Sequence, residues 1–251
     1  MLSRTIGEGF PVSDATSDGR ALTGDPGGDR AGYSRAILDH LAYVERMGAL
    51  VLAAGTSTRM GSPKALLDWG GRSLLAHQLR LLGELPFADL LAMLGHDEAE
   101  ISAAMPVLPD AHVAYNAHYP SGRSSSIRFG AQILGDMASI LIVNVDQPLS
   151  RGLLGDLLGG AVKNQEAPIL VPVFEGRRGH PVLIRRSLFG ELSRIEEESE
   201  GLKGIMHRAP DRHIPIVTPD IYSLLSLNTR SQYTDAIQAH LGGGQSDDPN
   251  S

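Results

Sequence analysis

The chain has 251 residues, 42% of them hydrophobic, enough to bury a core for one large domain or two small ones. Its formal charge of −7 argues against a general nucleic-acid or membrane-surface binder, since either needs a broad cationic face, so a phosphate ligand must meet a local positive site. Cysteine is absent, which excludes disulfides, thiolate metal sites and a cysteine nucleophile; with no apolar run of spanning length and no secretory pattern, a cytoplasmic protein is expected.

Residues 1–33 are rich in Gly, Asp, Ser and Thr and carry only isolated apolar side chains, so disorder is expected there. Apolar residues at Ile37, Leu38, Leu41, Ala42 and Val44 predict a short amphipathic helix over 34–46. The first 46 residues thus read as an N-terminal extension, 47–241 as the domain proper and 242–251 as a glycine-rich, disordered tail. Ala49 to Ala53 has the composition of a strand buried on both faces, as the centre of a parallel sheet requires. The side chains then shrink. Gly55, Ser57 and Gly61 allow tight turns that present backbone N–H groups, Arg59 offers a planar fork and Lys64 a mobile charge, so the loop reads as a triphosphate cradle. It is neither a Walker A loop nor a dinucleotide fingerprint.

Ser73 to Leu85 predicts a helix covering the sheet with Ser73 as N-cap. Leu90 to Leu94 reads as the next strand, ending at Gly95-His96-Asp97, followed by a helix from near Asp97 and a third strand over His112 to Asn116. This alternation indicates a doubly wound sheet, which binds ligands at the carboxyl ends of its strands. Ser124, Ser125 and Ser126 fall at a helix N-terminus, where they serve either as N-caps or as contacts for an anion or a nucleobase edge. The buried strand from Ser139 ends in Asp146-Gln147-Pro148, either a plain turn or a carboxylate placed for a cation, and beside a triphosphate that cation is Mg2+. Pro168 to Phe174 and His180 to Ile184 are expected to pair as a hairpin over the sheet's edge, with Arg177 and Arg178 in the turn either steering an anion or simply solvated. The acidic run Glu196 to Glu200 reads as a solvated helix end.

Leu52-Ala53-Ala54-Gly55, Ser57, Arg59-Met60-Gly61 and Lys64 resemble, position by position, the signature loop of nucleotidyltransferases with a MobA-like fold. The resemblance extends over 47–241 and implies a three-layer α/β/α sandwich with a mostly parallel, Rossmann-like sheet. Asn116, Gly122 and Ser124 to Ser126 resemble the cytidylyltransferase branch, with Arg123 where methionine is usual. Asp146-Gln147-Pro148 is similar to the triad of molybdenum cofactor cytidylyltransferases, and Gly179-His180-Pro181 to the family's Gly-His-Pro. The resemblance therefore implies Arg59, Lys64 and Asp146 as catalytic residues, and nucleotide contacts from Leu52, Ala53, Ala54, Gly55, Ser57, Arg59, Gly61, Lys64, Gly95, Ser124, Ser125 and Ser126. It places Gly179 and His180 on the acceptor side and Mg2+ on Asp146 and Asn228. The implied reaction moves CMP from CTP to molybdenum-bound molybdopterin, with a molybdoenzyme or its maturation chaperone downstream. Two departures bear on this: Glu198-Ser199-Glu200-Gly201-Leu202-Lys203 lacks the family's aspartate, and Ser226 to Tyr233 replaces its closing motif. A sugar phosphate or phosphocholine as acceptor, or a nucleotide-binding regulator without turnover, are the alternative readings.

Overall fold

The computed structural model describes residues 42–57, 60–105, 111–208 and 210–243. The disorder expected over 1–33 and residues 34–41 of the helix expected over 34–46 lie outside the described residues; residues 42–44 are helical. Eight strands within the described residues form one sheet. They are β1 (Met47–Ala53), β2 (Asp89–Leu94), β3 (Ala111–Tyr115), β4 (Ser139–Asn144), β5 (Ile169–Phe174), β6 (Arg177–Arg178), β7 (Val182–Arg185) and β8 (His213–Val217). The order is β3-β2-β1-β4-β7-β5, with β6 pairing the end of β5 and β8 lying along β5. Every pairing among β1, β2, β3, β4, β5 and β8 is parallel, and only β6 and β7 run the other way.

The helices are α1 (Leu74–Gly83), α2 (Glu98–Ala104), α3 (Arg123–Ile133), α4 (Arg151–Lys163), α5 (Phe189–Leu192), α6 (Gly201–Arg208) and α7 (Arg230–Gly243). Alternation along the strands splits the core into two layers. Ala49, Val51 and Ala53 of β1 pack with Leu75, Leu79 and Leu82 of α1 and Leu153, Leu154 and Leu157 of α4, while Leu50 and Leu52 meet Ile127 and Ala131 of α3 and Ile205 of α6. The expected three-layer sandwich is the result. All seven residues of β1 are buried, which is why this strand reads as an unbroken apolar run rather than as an alternating one. Val44, ahead of β1, already belongs to the core.

The two strands of the expected hairpin do pair antiparallel, with Ile169 opposite Ile184, but not at the sheet's edge. Val173 and Phe174 do pair with Arg178 and Arg177, but β7 then continues into the sheet between β4 and β5. Val182 and Ile184 enter one core layer and Leu183 the other, so β7 is buried on both faces and an edge position would waste half its apolar surface. The insertion matters for function, because an antiparallel β7 begins where β4 ends, with Val182 opposite Ile142.

Candidate active site

Leu52 lies opposite Asn144, so the loops that follow β1 and β4 emerge side by side on one edge. After β1 the loop doubles back, and the Lys64 N–H donates to Ser57 Oγ at 2.9 Å, drawing its two ends together. Lys64 thereby turns over the strand ends, where its Nζ donates to Asp146 Oδ2 at 2.8 Å and to Asn228 Oδ1 at 2.8 Å. Asn228 comes from the far end of the chain, and the Leu227 N–H donating to the Asp146 carbonyl at 2.8 Å sets it there. These groups line a cleft of about 1080 Å³ that also takes in Ala54, Gly55, the start of α3, Gly179-His180 and the segment from Glu197 to His207.

The donor set converging on Lys64 Nζ is one carboxylate and one amide carbonyl. Hard oxygens of this kind suit a divalent cation that completes its shell with water and phosphate oxygens. No cluster of three or more His, Cys, Asp or Glu forms among the described residues, so the groups do not build an all-protein cage. Asp146 and Asn228 fit a magnesium-type ion held partly by its substrate.

Residues 49–213 match the model of the MobA-like NTP transferase domain. The chain belongs to that family. Bifunctional protein GlmU of Streptomyces coelicolor is 29% identical over 170 residues, which cover 64% of this chain and 34% of that protein, so the chain spans about a third of that relative's length. The crystal structure of a homologue of Mycobacterium tuberculosis Rv0371c from Mycobacterium sp. strain JC1 superposes with a TM-score of 0.64 at 25% identity, covering 79% of this chain and 98% of that one. Rv0371c of M. tuberculosis in complex with manganese shares the fold at 24% identity and a TM-score of 0.58, over 77% of this chain and 99% of that one.

In this MobA-like domain the three serines do three different things. Ser124 lines the cleft, but its N–H and its hydroxyl both donate to Glu197 Oε2, at 2.9 and 2.7 Å. Ser125 does not line the cleft: its hydroxyl faces the carbonyls of His118 and Gly122 and accepts from Asn116 Nδ2, which corrects its expected nucleotide contact to a structural one. Ser126 lines the cleft and accepts from Asn116 Nδ2 at 2.9 Å, with no acceptor for its own proton among the described residues. Gly61 and Gly95 are also absent from the lining. Gly61 is exposed with φ of 71°, a turn residue. Gly95 backs the loop from behind, where a Cβ would fall 2.7 Å from Tyr119 and 2.8 Å from Ala54. Arg59 lies outside the described residues. Leu52, Ala53, Ala54, Gly55, Ser57, Lys64, Asp146, Gly179, His180 and Asn228 share the cleft.

His180 is held neutral. Burial first, then the charge of Arg123, bring its pKa down to about 4, with Asp146 opposing and Lys203 adding to the shift. Its N–H donates to the Ser223 carbonyl at 2.8 Å, and the preceding Gly179 N–H donates to the Pro172 carbonyl at 2.8 Å, so the segment is pinned on both sides.

Glu197 is the functional-site residue that sequence patterning misses. It stands in a run that reads as solvated, and residues 196–200 are indeed all exposed; Glu197 nonetheless lines the cleft, as does Glu200, which pairs with exposed His207 at 2.9 Å. Burial alone would raise its pKa, but the Ser124 hydrogen bonds and Arg123 hold the carboxyl below its ordinary value. The signal in the sequence is a pair of distant glycines. Gly122 (φ 99°) and Gly201 (φ 55°) both adopt left-handed backbone, and a Cβ would come within 2.7 Å of the Glu197 carboxyl at the first and 2.6 Å of Ser124 Oγ at the second.

Proposed function

We propose that this chain is a nucleotidyltransferase that moves CMP from CTP to the phosphate of molybdenum-bound molybdopterin, with release of pyrophosphate and dependence on Mg2+. The observation that carries the reading is the meeting of Lys64 with Asp146 and Asn228, brought from three separate parts of the chain to one point at the sheet's carboxyl edge. In this scheme the loop from Leu52 to Ser57 and Lys64 hold the β- and γ-phosphates, with Arg59 neutralising the departing pyrophosphate. Asp146 and Asn228 are the ligands for Mg2+, which when bound supplies charge neutralisation at the α-phosphate. Manganese in the Rv0371c structure shows that a relative of the same fold takes a divalent ion.

An oxygen of the acceptor phosphate attacks the α-phosphorus as the bond from that phosphorus to the α,β-bridging oxygen breaks. The bridging oxygen leaves with pyrophosphate and carries the charge away. The attacking oxygen is already anionic, so no general base is required and catalysis reduces to alignment and charge balance. Neutral His180 agrees with this division of labour, since its ring can donate a hydrogen bond to an acceptor oxygen without serving as a proton carrier. The resemblance of Asn116, Gly122 and Ser124 to Ser126 to the cytidylyltransferase branch favours cytidine, and Ser126 is the hydroxyl placed to donate to a base or ribose oxygen.

Calorimetric titration with CTP, with and without Mg2+, tests the core of the proposal: binding is expected to strengthen with the metal, and Asp146→Ala to erase that gain and cost on the order of 100-fold in turnover. A nucleotide panel in which GTP or ATP reacts faster than CTP overturns the base assignment. An acceptor screen read by pyrophosphate release separates molybdopterin from a sugar phosphate or phosphocholine.

A further inference from the structure

The turn that carries Asp146 is held from beneath by helix α1. Gln78 is fully buried, and its Nε2 donates to the Val145 carbonyl at 2.8 Å and approaches those of Asn144 and Gln147 at 3.3 Å. The residue before it, His77, places Nε2 3.1 Å from the Leu149 carbonyl; burial lowers its pKa to about 4, so the ring is neutral and donates that proton. Two consecutive side chains of one helix thus reach the peptide carbonyls on both sides of Asp146. The Oε1 of Gln78 has no partner among the described residues, so this side chain is placed for what its nitrogen does. The remaining carbonyl of the turn, that of Asp146 itself, takes the Leu227 N–H and so sets Asn228. A shift of the turn would move both oxygens that meet Lys64.

We propose that Gln78 is a positioning residue, which touches no substrate and fixes the Asp146 turn, and through Leu227 the Asp146–Asn228 pair, by donating to the converging carbonyls. What it does for chemistry rests on the nucleotidyltransferase reading; what it does for the turn does not. A primary amide is suited to the place because it brings two donor hydrogens to a region that contains only acceptors. Methionine would fill the same volume and take this donor from the Val145 and Gln147 carbonyls in a dry site, the Asn144 carbonyl keeping the Gln147 N–H at 3.0 Å, and glutamate would add an acceptor to acceptors.

The test uses the full chain and Gln78→Met, with amide hydrogen exchange as one arm and CTP calorimetry with and without Mg2+ as the other. In the variant the Leu227 amide is expected to exchange about tenfold faster or more, and the metal-dependent gain in CTP affinity to fall about tenfold, with metal-free CTP binding within about twofold of wild type. A folded variant with unchanged Leu227 exchange overturns the proposal, as does one that keeps the wild-type metal-dependent gain in full. If Gln78→Met does not fold, the wild-type side-chain NH2 of Gln78 decides: slow exchange upholds the donation, and exchange at the rate of a free amide overturns it. A wild type whose CTP affinity ignores Mg2+ defeats the functional reading alone, because the exchange arm still judges Gln78.

Discussion

Three neighbouring serines of identical chemistry divide their work by what already occupies each hydroxyl. Ser125 and Ser126 both accept from Asn116 Nδ2, but Ser125 passes its proton to backbone carbonyls whereas Ser126 faces the cleft and has no acceptor for its proton among the described residues. Ser125→Ala should therefore cost about 1 kcal/mol of stability and leave CTP affinity within about twofold. Ser126→Ala should cost about tenfold in CTP affinity, because a hydrogen bond to the ligand goes while the fold keeps its shape. Chemical denaturation and calorimetry on the two variants check the contrast, and equal losses of CTP affinity would mean that the cleft-facing proton is not read. Such a division was illegible in the triple serine itself, since it is set by the hydroxyls' bonds to Asn116, His118 and Gly122, which only the folded turn brings near.

At the scale of elements, the joint between β6 and β7 is the least forgiving. A Cβ at Gly179 would lie 2.2 Å from the Ser223 carbonyl, a backbone atom that cannot swing away as a side chain can. Gly179→Ala is expected to destabilise the fold by about 2–3 kcal/mol and to displace His180, seen as a lowered unfolding midpoint together with weakened acceptor binding. Helix α1 supplies a second test. His77 has its pKa lowered to about 4 in the fold, below the ordinary 6.5, so the unfolded chain binds the proton more tightly. Its contribution to stability is intact above pH 6.5 and is lost as the pH falls from 6.5 toward 4, at up to about 1.4 kcal/mol per pH unit. Denaturation midpoints measured across that window should fall less steeply in His77→Leu, even though that variant starts lower at pH 7 for want of the bond to Leu149. His180, lowered to about 4 as well, and His213 and His240, both lowered by burial, carry part of the remaining slope.

These elements also show what the sequence makes readable. Strand β1 and the end of β4 are local statements: an apolar run, then small residues or an acid, so the strand-end loop and Asp146 are visible before any folding. Lys64 meeting Asp146 follows from two parallel strands placed side by side. The place of β7 is not local, because four apolar residues suit an edge or a centre equally and only the vacancy between β4 and β5 decides. Glu197 and Gln78 are hidden for the same reason. An acid in an acidic run and a glutamine in a leucine-rich helix have no pattern of their own, and their partners are backbone groups far along the chain.

Across the whole molecule, helix α7 docks on the segment after β1 and follows closely on the residue that reaches the site from the far end of the described chain. The chain has a single tryptophan, Trp69, buried beside α1 and stacked on His240 of α7 at 4.8 Å, while Tyr222 donates or accepts with His240 Nδ1 at 2.7 Å and meets Trp69 edge-on. Tyr233 of α7 donates to the Asp68 carbonyl at 2.7 Å, and Ala236 packs with Leu67 and Leu74. Docking of α7 on the 67–74 segment therefore accompanies delivery of Asn228, two residues before α7, to Lys64 and Asp146. If the two are coupled, a ligand that grips Asn228 must also hold α7 in place. With CTP and Mg2+ at a hundredfold their dissociation constant, stability should rise by about 2.7 kcal/mol. Asn228→Ala should lose part of that gain and keep the buried tryptophan emission. A chain ending at Arg230 retains Asn228 but not the helix, and it should show red-shifted emission and a reduced ligand-induced gain together. Retention of the full gain in the shortened chain would show that Asn228 reaches the site without α7, and that the helix covers Trp69 for stability alone.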